Sequence, residues 1–254
     1  MRDWPAYALE RIRQLIGRPG SGETRAVAEG NPVLTTGALG VLATESMIGE
    51  VLCRHVPTAG LAEWRRGTDR NAFGATVSEV SAGDARAVFS TAAGLTMSGQ
   101  RAVAMVAGDR LAQMHDQLFA AAGRRLPLVI QVANRAMPRQ GAAPGTGHEG
   151  LHAVADTGAF IAVARNAQHA VDLTLVARRL AELSLTPGVV AMDGGETAFA
   201  AQDFFLPDEK PCANFSASRS RRSRGFPKVR TCSSAAGGGT CRVGSAWSAP
   251  WRRA

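Results

Sequence analysis

Lysine is almost missing from this chain. Only Lys210 and Lys228 occur in 254 residues, so nothing before them can form a G-x4-G-K-[ST] phosphate loop, whose lysine reaches the nucleotide phosphates. Cysteine is nearly as scarce. Cys53 stands alone in an apolar stretch and reads as a small buried hydrophobe, while Cys212, Cys232 and Cys241 are too widely spaced for the close pairs that zinc and iron–sulfur sites favour. Without paired cysteines in the body, nothing points to an oxidising compartment. No apolar run reaches the ~18 residues of a membrane-spanning helix, and Met1 to Leu9 lacks the charged-then-apolar order of a secretory signal. The expectation is a soluble, cytoplasmic chain. A G-x-S-x-G nucleophile elbow is also absent, which removes the simplest hydrolase reading.

Acidic residues stop at Glu209. From Lys210 onward lie ten of the 29 basic residues, leaving 19 against 21 acidic in the preceding body, a net of −2 under an overall +8. The high charge therefore belongs to a tail. Arg219 to Arg230 could be a basic arm for nucleic acid, a solvated disordered terminus, or the product of a shifted reading frame in a GC-rich gene. Ser, Gly and Arg without aliphatic periodicity bury too little surface to offset chain entropy, so disorder and the frameshift are preferred over nucleic-acid binding. The expected divisions are 1–28, a helix and linker; 29–200, the folded domain; and 201–254, a linker and disordered basic tail.

The body alternates strands and helices. Arg101 to Ala107, Leu126 to Ala133, Gly158 to Ala164 and Gly188 to Met192 are short apolar runs suited to buried strands. Between them, Arg110 to Ala122 repeats apolar residues at helical spacing, and Ala167 to Leu185 places Ala170, Leu173, Val176, Ala177 and Leu180 on one face with Arg178, Arg179 and Glu182 on another. Asp84 to Ser98 reads as a small-residue helix, and Trp4 to Ile16 as an amphipathic helix before the Gly, Pro and Ser linker Arg18 to Thr24. This order predicts an α/β fold, a doubly wound, mostly parallel sheet with helices on both faces.

Ligands of such sheets sit beyond the carboxyl ends of strands, which directs attention to the loops after Ala107 and Ala133. The second loop contains Gly145-Thr146-Gly147-His148-Glu149-Gly150, a letter match to G-x-G-x-x-G. A dinucleotide fingerprint needs its first glycine directly after a strand, and here a long loop intervenes, so a mobile glycine-rich loop is the better reading. His115, His148, His152 and His169 are the candidates for an alternative metal or acid–base site, with His148 and His152 four residues apart.

From Glu29 to about Ala200 the chain resembles the N-terminal, pyrimidine-binding (Pyr) domain of pyruvate:ferredoxin oxidoreductases and related thiamine-diphosphate-dependent 2-oxoacid:acceptor oxidoreductases. Glu29-Gly30-Asn31 resembles the family's opening D/E-G-N, and Ser46-Met47-Ile48-Gly49-Glu50 the helix after its Y-P-I-T-P-S loop. Leu126 to Val129 followed by Val132 to Ala136 is similar to its strand and arginine loop. Gly147 to Gly150 with Thr157 to Phe160 resembles its G-D-H-Q-D and Q-T-G-F region, and Asn166 to Gly194 its closing helix, strand and D-G turn.

The resemblance implies a function and a set of site residues. Thr44 in Ala43-Thr44-Glu45-Ser46 is the candidate for the loop threonine that contacts the 2-oxoacid, with helix N-cap as the alternative role. Arg135 matches the arginine that pairs with the substrate carboxylate, a task suited to a guanidinium because it can hold both oxygens. Thiamine enzymes also need a carboxylate beside the aminopyrimidine ring. Aligning from upstream selects Glu79; counting back from Gly99 reaches Ala85, next to Asp84. Glu79 and Asp84 are thus the candidate catalytic and cofactor-contacting carboxylates. No G-D-G motif for diphosphate and Mg²⁺ is present, so those groups and any iron–sulfur clusters are expected in partner domains. The expected function is the Pyr-domain part of a 2-oxoacid (pyruvate-like):ferredoxin or flavodoxin oxidoreductase, incomplete alone, with the diphosphate-binding domain, other subunits or a second copy as partners. A structural homologue that has lost the site is the alternative.

Overall fold

The computed structural model describes residues 31–55, 70–137 and 147–208, together with Cys212 and Phe215. The amphipathic segment Trp4 to Ile16, its linker, Gly30, Arg139, Gly145 and the basic run Arg219 to Arg230 lie outside the described residues.

Six strands form one parallel sheet. These are β2 (Val51–Arg54), β3 (Ser78–Ser81), β4 (Ala102–Ala107), β5 (Val129–Asn134), β6 (Phe160–Val163) and β7 (Gly188–Asp193), in the order β3-β2-β4-β5-β7-β6. The central three carry the expected apolar runs and are buried on both faces, as a sheet covered by helices requires. On one face pack α2 (Ala85–Met97), α3 (Gly108–Leu111), α4 (His115–Gly123) and α5 (Glu149–His152), around Val51, Cys53, Ala104, Val106, Ile130 and Val132. The helix expected from Arg110 to Ala122 is interrupted by a 3-10 turn at Ala112–Met114. On the other face lie α1 (Gly37–Ile48) and α6 (Ala167–Ser184), against Leu52, Val103, Met105 and Val190.

A second, two-stranded antiparallel sheet joins β1 (Asn31–Thr36) to β8 (Ala201–Leu206). Its inner side seats Val33, Phe204 and Leu206 on Ala43, Ala167 and Val171 of α1 and α6. Helix α1 begins where β1 ends: Thr36 accepts a hydrogen bond from the Leu39 amide, and Gly37 lies so close to Thr197 that a methyl group would overlap its carbonyl oxygen.

One sequence expectation about α6 is reversed. The spacing sets Arg178 with Arg179 and Glu182 away from the apolar face, yet the Arg178 side chain is 1% exposed, whereas Val176, Leu180 and Leu183 face outward. The reason is a partner far away in sequence. Arg178 Nη2 donates to Glu45 Oε2 at 2.8 Å and Nη1 to the Ala102 carbonyl at 3.0 Å. Gln131, the polar residue inside β5, donates to Glu45 Oε1 at 3.0 Å and reaches Thr174 Oγ1 at 3.3 Å. Buried charge is tolerated only when paired and hydrogen-bonded in this way. A second buried pair, Arg101 with Glu182 at 2.6 Å, ties α6 to the start of β4 and donates onward to the Ile48 carbonyl. No helix among the described residues is long and apolar enough to cross a membrane.

Candidate functional site

Strand order locates the site before any side chain is considered. From β2 the chain proceeds to β3 on one side, and from β4 to β5 on the other, so the connections leaving these neighbours diverge at their carboxyl ends. Such a divergence opens a crevice where α/β proteins hold ligands. Around this edge stand His55 after β2, Ala82-Gly83-Asp84 after β3, Gly108-Asp109 after β4, Asn134-Arg135 at the end of β5 and Asp193-Gly194 at the end of β7.

The arginine loop is built tightly. Asn134 is buried at the end of β5, and Arg135 after it is exposed. A β-carbon on Gly108 would come within 2.9 Å of Asn134 Cα and the Arg135 nitrogen, and one on Gly194 would strike the Asn134 carbonyl. Three strand ends therefore converge on the residue before Arg135, so its backbone is fixed while its guanidinium remains accessible. Asn134 Nδ2 lies 3.3 Å from His148 Nδ1, joining the far end of the glycine-rich loop to the same place. His148 is the one member of the proposed histidine set at this edge. His115 pairs with Asp156 at 2.8 Å, His169 accepts from the Arg165 amide, and among the described residues no three His, Cys, Asp or Glu side chains gather into a metal site. The hydrogen bond from His115 holds the Asp156 carboxyl below its ordinary pKa.

The two candidate carboxylates do not converge. Glu79 is the second residue of β3, in register with Leu52, so it projects toward the face covered by α1, where Arg54 Nε donates to its carboxylate. Asp84 stands at the carboxyl end of β3 and leads into α2 on the opposite face; it is exposed, and its side chain makes no capping bond. Ala85, the position reached by counting back from Gly99, is fully buried among Val88, Phe89 and the sheet.

Thr44 is elsewhere. It lies in the middle of α1, fully buried, with its hydroxyl donating to the Gly40 carbonyl at 2.9 Å; Thr36 is the cap. The resemblance sets a helix opening near Ser46, but Ser46 to Ile48 closes α1. The helix opens at Gly37, which the Thr-Thr-Gly sequence of a cap and a close approach would have marked. Glu45 is likewise a core ion-pair partner with no access to substrate.

Residues 56–242 match the family model described as "Pyruvate flavodoxin/ferredoxin oxidoreductase, thiamine diP-bdg". The chain belongs to this family. Among curated members, it is 33% identical over 131 residues to pyruvate synthase subunit PorA of Pyrococcus furiosus, covering 50% of this chain and 32% of that one. It is 28% identical over 135 residues to the alpha subunit of NADH-dependent phenylglyoxylate dehydrogenase from Aromatoleum evansii, covering 51% and 31%. The chain thus spans about a third of the length of the curated relatives it matches. A solved structure, 2-oxoglutarate:ferredoxin oxidoreductase from Magnetococcus marinus with 2-oxoglutarate, coenzyme A and succinyl-CoA bound, aligns with a TM-score of 0.60 at 20% identity over 72% of this chain and 32% of that one. That likeness concerns the fold, and it agrees with the parallel sheet expected from sequence.

Proposed function

We propose that this chain is the pyrimidine-binding part of a 2-oxoacid:ferredoxin or flavodoxin oxidoreductase, working with a domain or subunit that holds the diphosphate, Mg²⁺ and electron-transfer clusters. The observation that carries the reading is the family match together with Arg135, held at the carboxyl edge by the packing of Gly108 and Gly194 against Asn134. Thiamine diphosphate, when bound, supplies the carbon nucleophile and electron sink for decarboxylation. Arg135 binds the carboxylate of the 2-oxoacid through both oxygens and orients it. Asp84 is the carboxylate that fits the aminopyrimidine ring better, because it is exposed at the crevice edge while Glu79 is engaged by Arg54. Its role is to share a proton with a ring nitrogen. For the substrate-loop threonine, the segment following β2 supplies Val56-Pro57-Thr58, which lies outside the described residues and replaces Thr44 in our assignment.

A second reading rests on Ala85. If that buried methyl occupies the family's carboxylate position, the domain is a scaffold that has lost its acid–base group. Co-purification with the products of neighbouring genes, followed by 2-oxoacid-dependent reduction of a viologen dye, separates the two. Activity lowered at least tenfold by Asp84→Asn, with a raised KM for Arg135→Gln, supports the catalytic reading. Activity indifferent to Asp84→Asn, or absent from every reconstituted complex, favours the scaffold.

A further inference from the structure

Among the described residues nothing covers the outer side of the β1–β8 ribbon, which carries Pro32, Leu34 and Phe205. Side chains alternate along each strand, so while Val33, Phe204 and Leu206 go inward, Pro32, Leu34, Asp203 and Phe205 point outward. Leu34 is 76% exposed and Phe205 57%, and the register sets Pro32 directly across from Phe205. Large exposed aliphatic and aromatic side chains gathered in one place mark a contact surface.

The chain itself supplies a segment of matching shape. Thirty residues precede Asn31, the first residue of this same ribbon. Within them, Trp4, Ala8, Ile12, Leu15 and Ile16 recur at helical spacing on one arc, bordered by Arg11 on one side and Arg13 on the other. Trp4 to Ile16 as a helix spans about 18 Å, and a six-residue strand about 20 Å. The intervening residues 17–30 can stretch to about 46 Å, more than enough to turn back along the ribbon. The one acidic group on the apolar side, Asp203, meets a helix whose borders are arginine. We infer that residues 4–16 fold back as an amphipathic helix across Pro32, Leu34 and Phe205, with Arg11 or Arg13 beside Asp203, making the amino-terminal segment an integral cover of the ribbon.

Cross-linking in the full chain tests this. In a background with Cys232→Ser and Cys241→Ser, Ile12→Cys is combined with Leu34→Cys or, as control, with Phe119→Cys on α4, which is equally accessible at 61% exposure. A short bismaleimide should join the first pair within one chain at least tenfold faster than the second. Equal rates, no reaction of the first pair, or a product linking two chains would overturn the inference, the last by assigning the ribbon to a second copy. Thermal unfolding gives an independent reading. Trp4→Ala and Leu34→Ser should each lower Tm, and together lower it no further than the larger single effect. An unchanged or raised Tm for Leu34→Ser contradicts a buried Leu34.

Discussion

Replacing Arg178 with methionine should be among the most damaging single changes in the domain, although a sequence view puts the residue on a solvated helix face. The substitution keeps an unbranched apolar stem of similar bulk and removes the guanidinium. Glu45, fully buried, then retains only the amide of Gln131, and the Ala102 carbonyl loses a donor. Leaving one charge of a buried pair uncompensated costs about 3–5 kcal/mol, which for a domain of this size lowers Tm by about 6–20 °C. Glu45→Leu should cost a similar amount by stranding Arg178. The double variant Glu45→Leu, Arg178→Met removes both charges and leaves Gln131 its bond to Thr174, so it should be more stable than either single variant. Urea unfolding at neutral pH, followed by circular dichroism, measures all four proteins. Single losses below about 1 kcal/mol, or a double loss equal to the sum of the singles, would refute the claim that these residues act as a desolvated unit.

Other consequences are simpler to check. Gly37→Ala should cost about 1–3 kcal/mol or more in the same assay, because its methyl has to displace the Thr197 backbone carbonyl rather than a flexible side chain. Burial pushes the Cys53 thiol up to about 11, so it should resist a thiol reagent at pH 8 in the folded protein and react on unfolding. Because the folded value lies above the unfolded one, the neutral thiol's contribution to stability is complete below the ordinary value of 9.0 and is lost as pH rises from there toward 11. Loss of this alkaline dependence in Cys53→Ala identifies the group. Arg86 holds Asp116 through paired hydrogen bonds on the surface, keeping its carboxyl low; Arg86→Gln should leave the unfolding midpoint at moderate salt almost unchanged, since solvent screens the pair.

Local composition carried the central sheet. The runs in β4, β5 and β7 are apolar on both faces, and only a strand covered from two sides has that pattern, so the parallel architecture and the family likeness were both legible without coordinates. The place of Arg135 at the end of β5 was legible for the same reason, since it follows directly on such a run. The amino-terminal third was not. β1 and β8 are as long as the central strands but interleave polar with apolar residues, and Asn31 pairs only with the distant Leu206 and Thr36 with Ala201, so no local period announces them. Missing β1 put the start of α1 near Ser46 instead of Gly37, about nine residues late, and carried Thr44 from the middle of a buried helix into a supposed substrate loop.

What the sequence by itself determined was therefore the alternation of strand and helix, the small-residue and glycine positions where elements approach closely, and the separation of an acidic body from a basic tail. Tertiary structure alone decided which polar residues are held inside the core. Glu45, Arg178 and Glu182 look like surface groups until partners distant in the chain neutralise them, and Glu79 looks like a free carboxylate until Arg54 is seen beside it. Charge compensation depends on distance in space, which residue spacing does not encode. Asp84 and Arg135 are both exposed, at the carboxyl ends of β3 and β5, and the proposed chemistry rests on them.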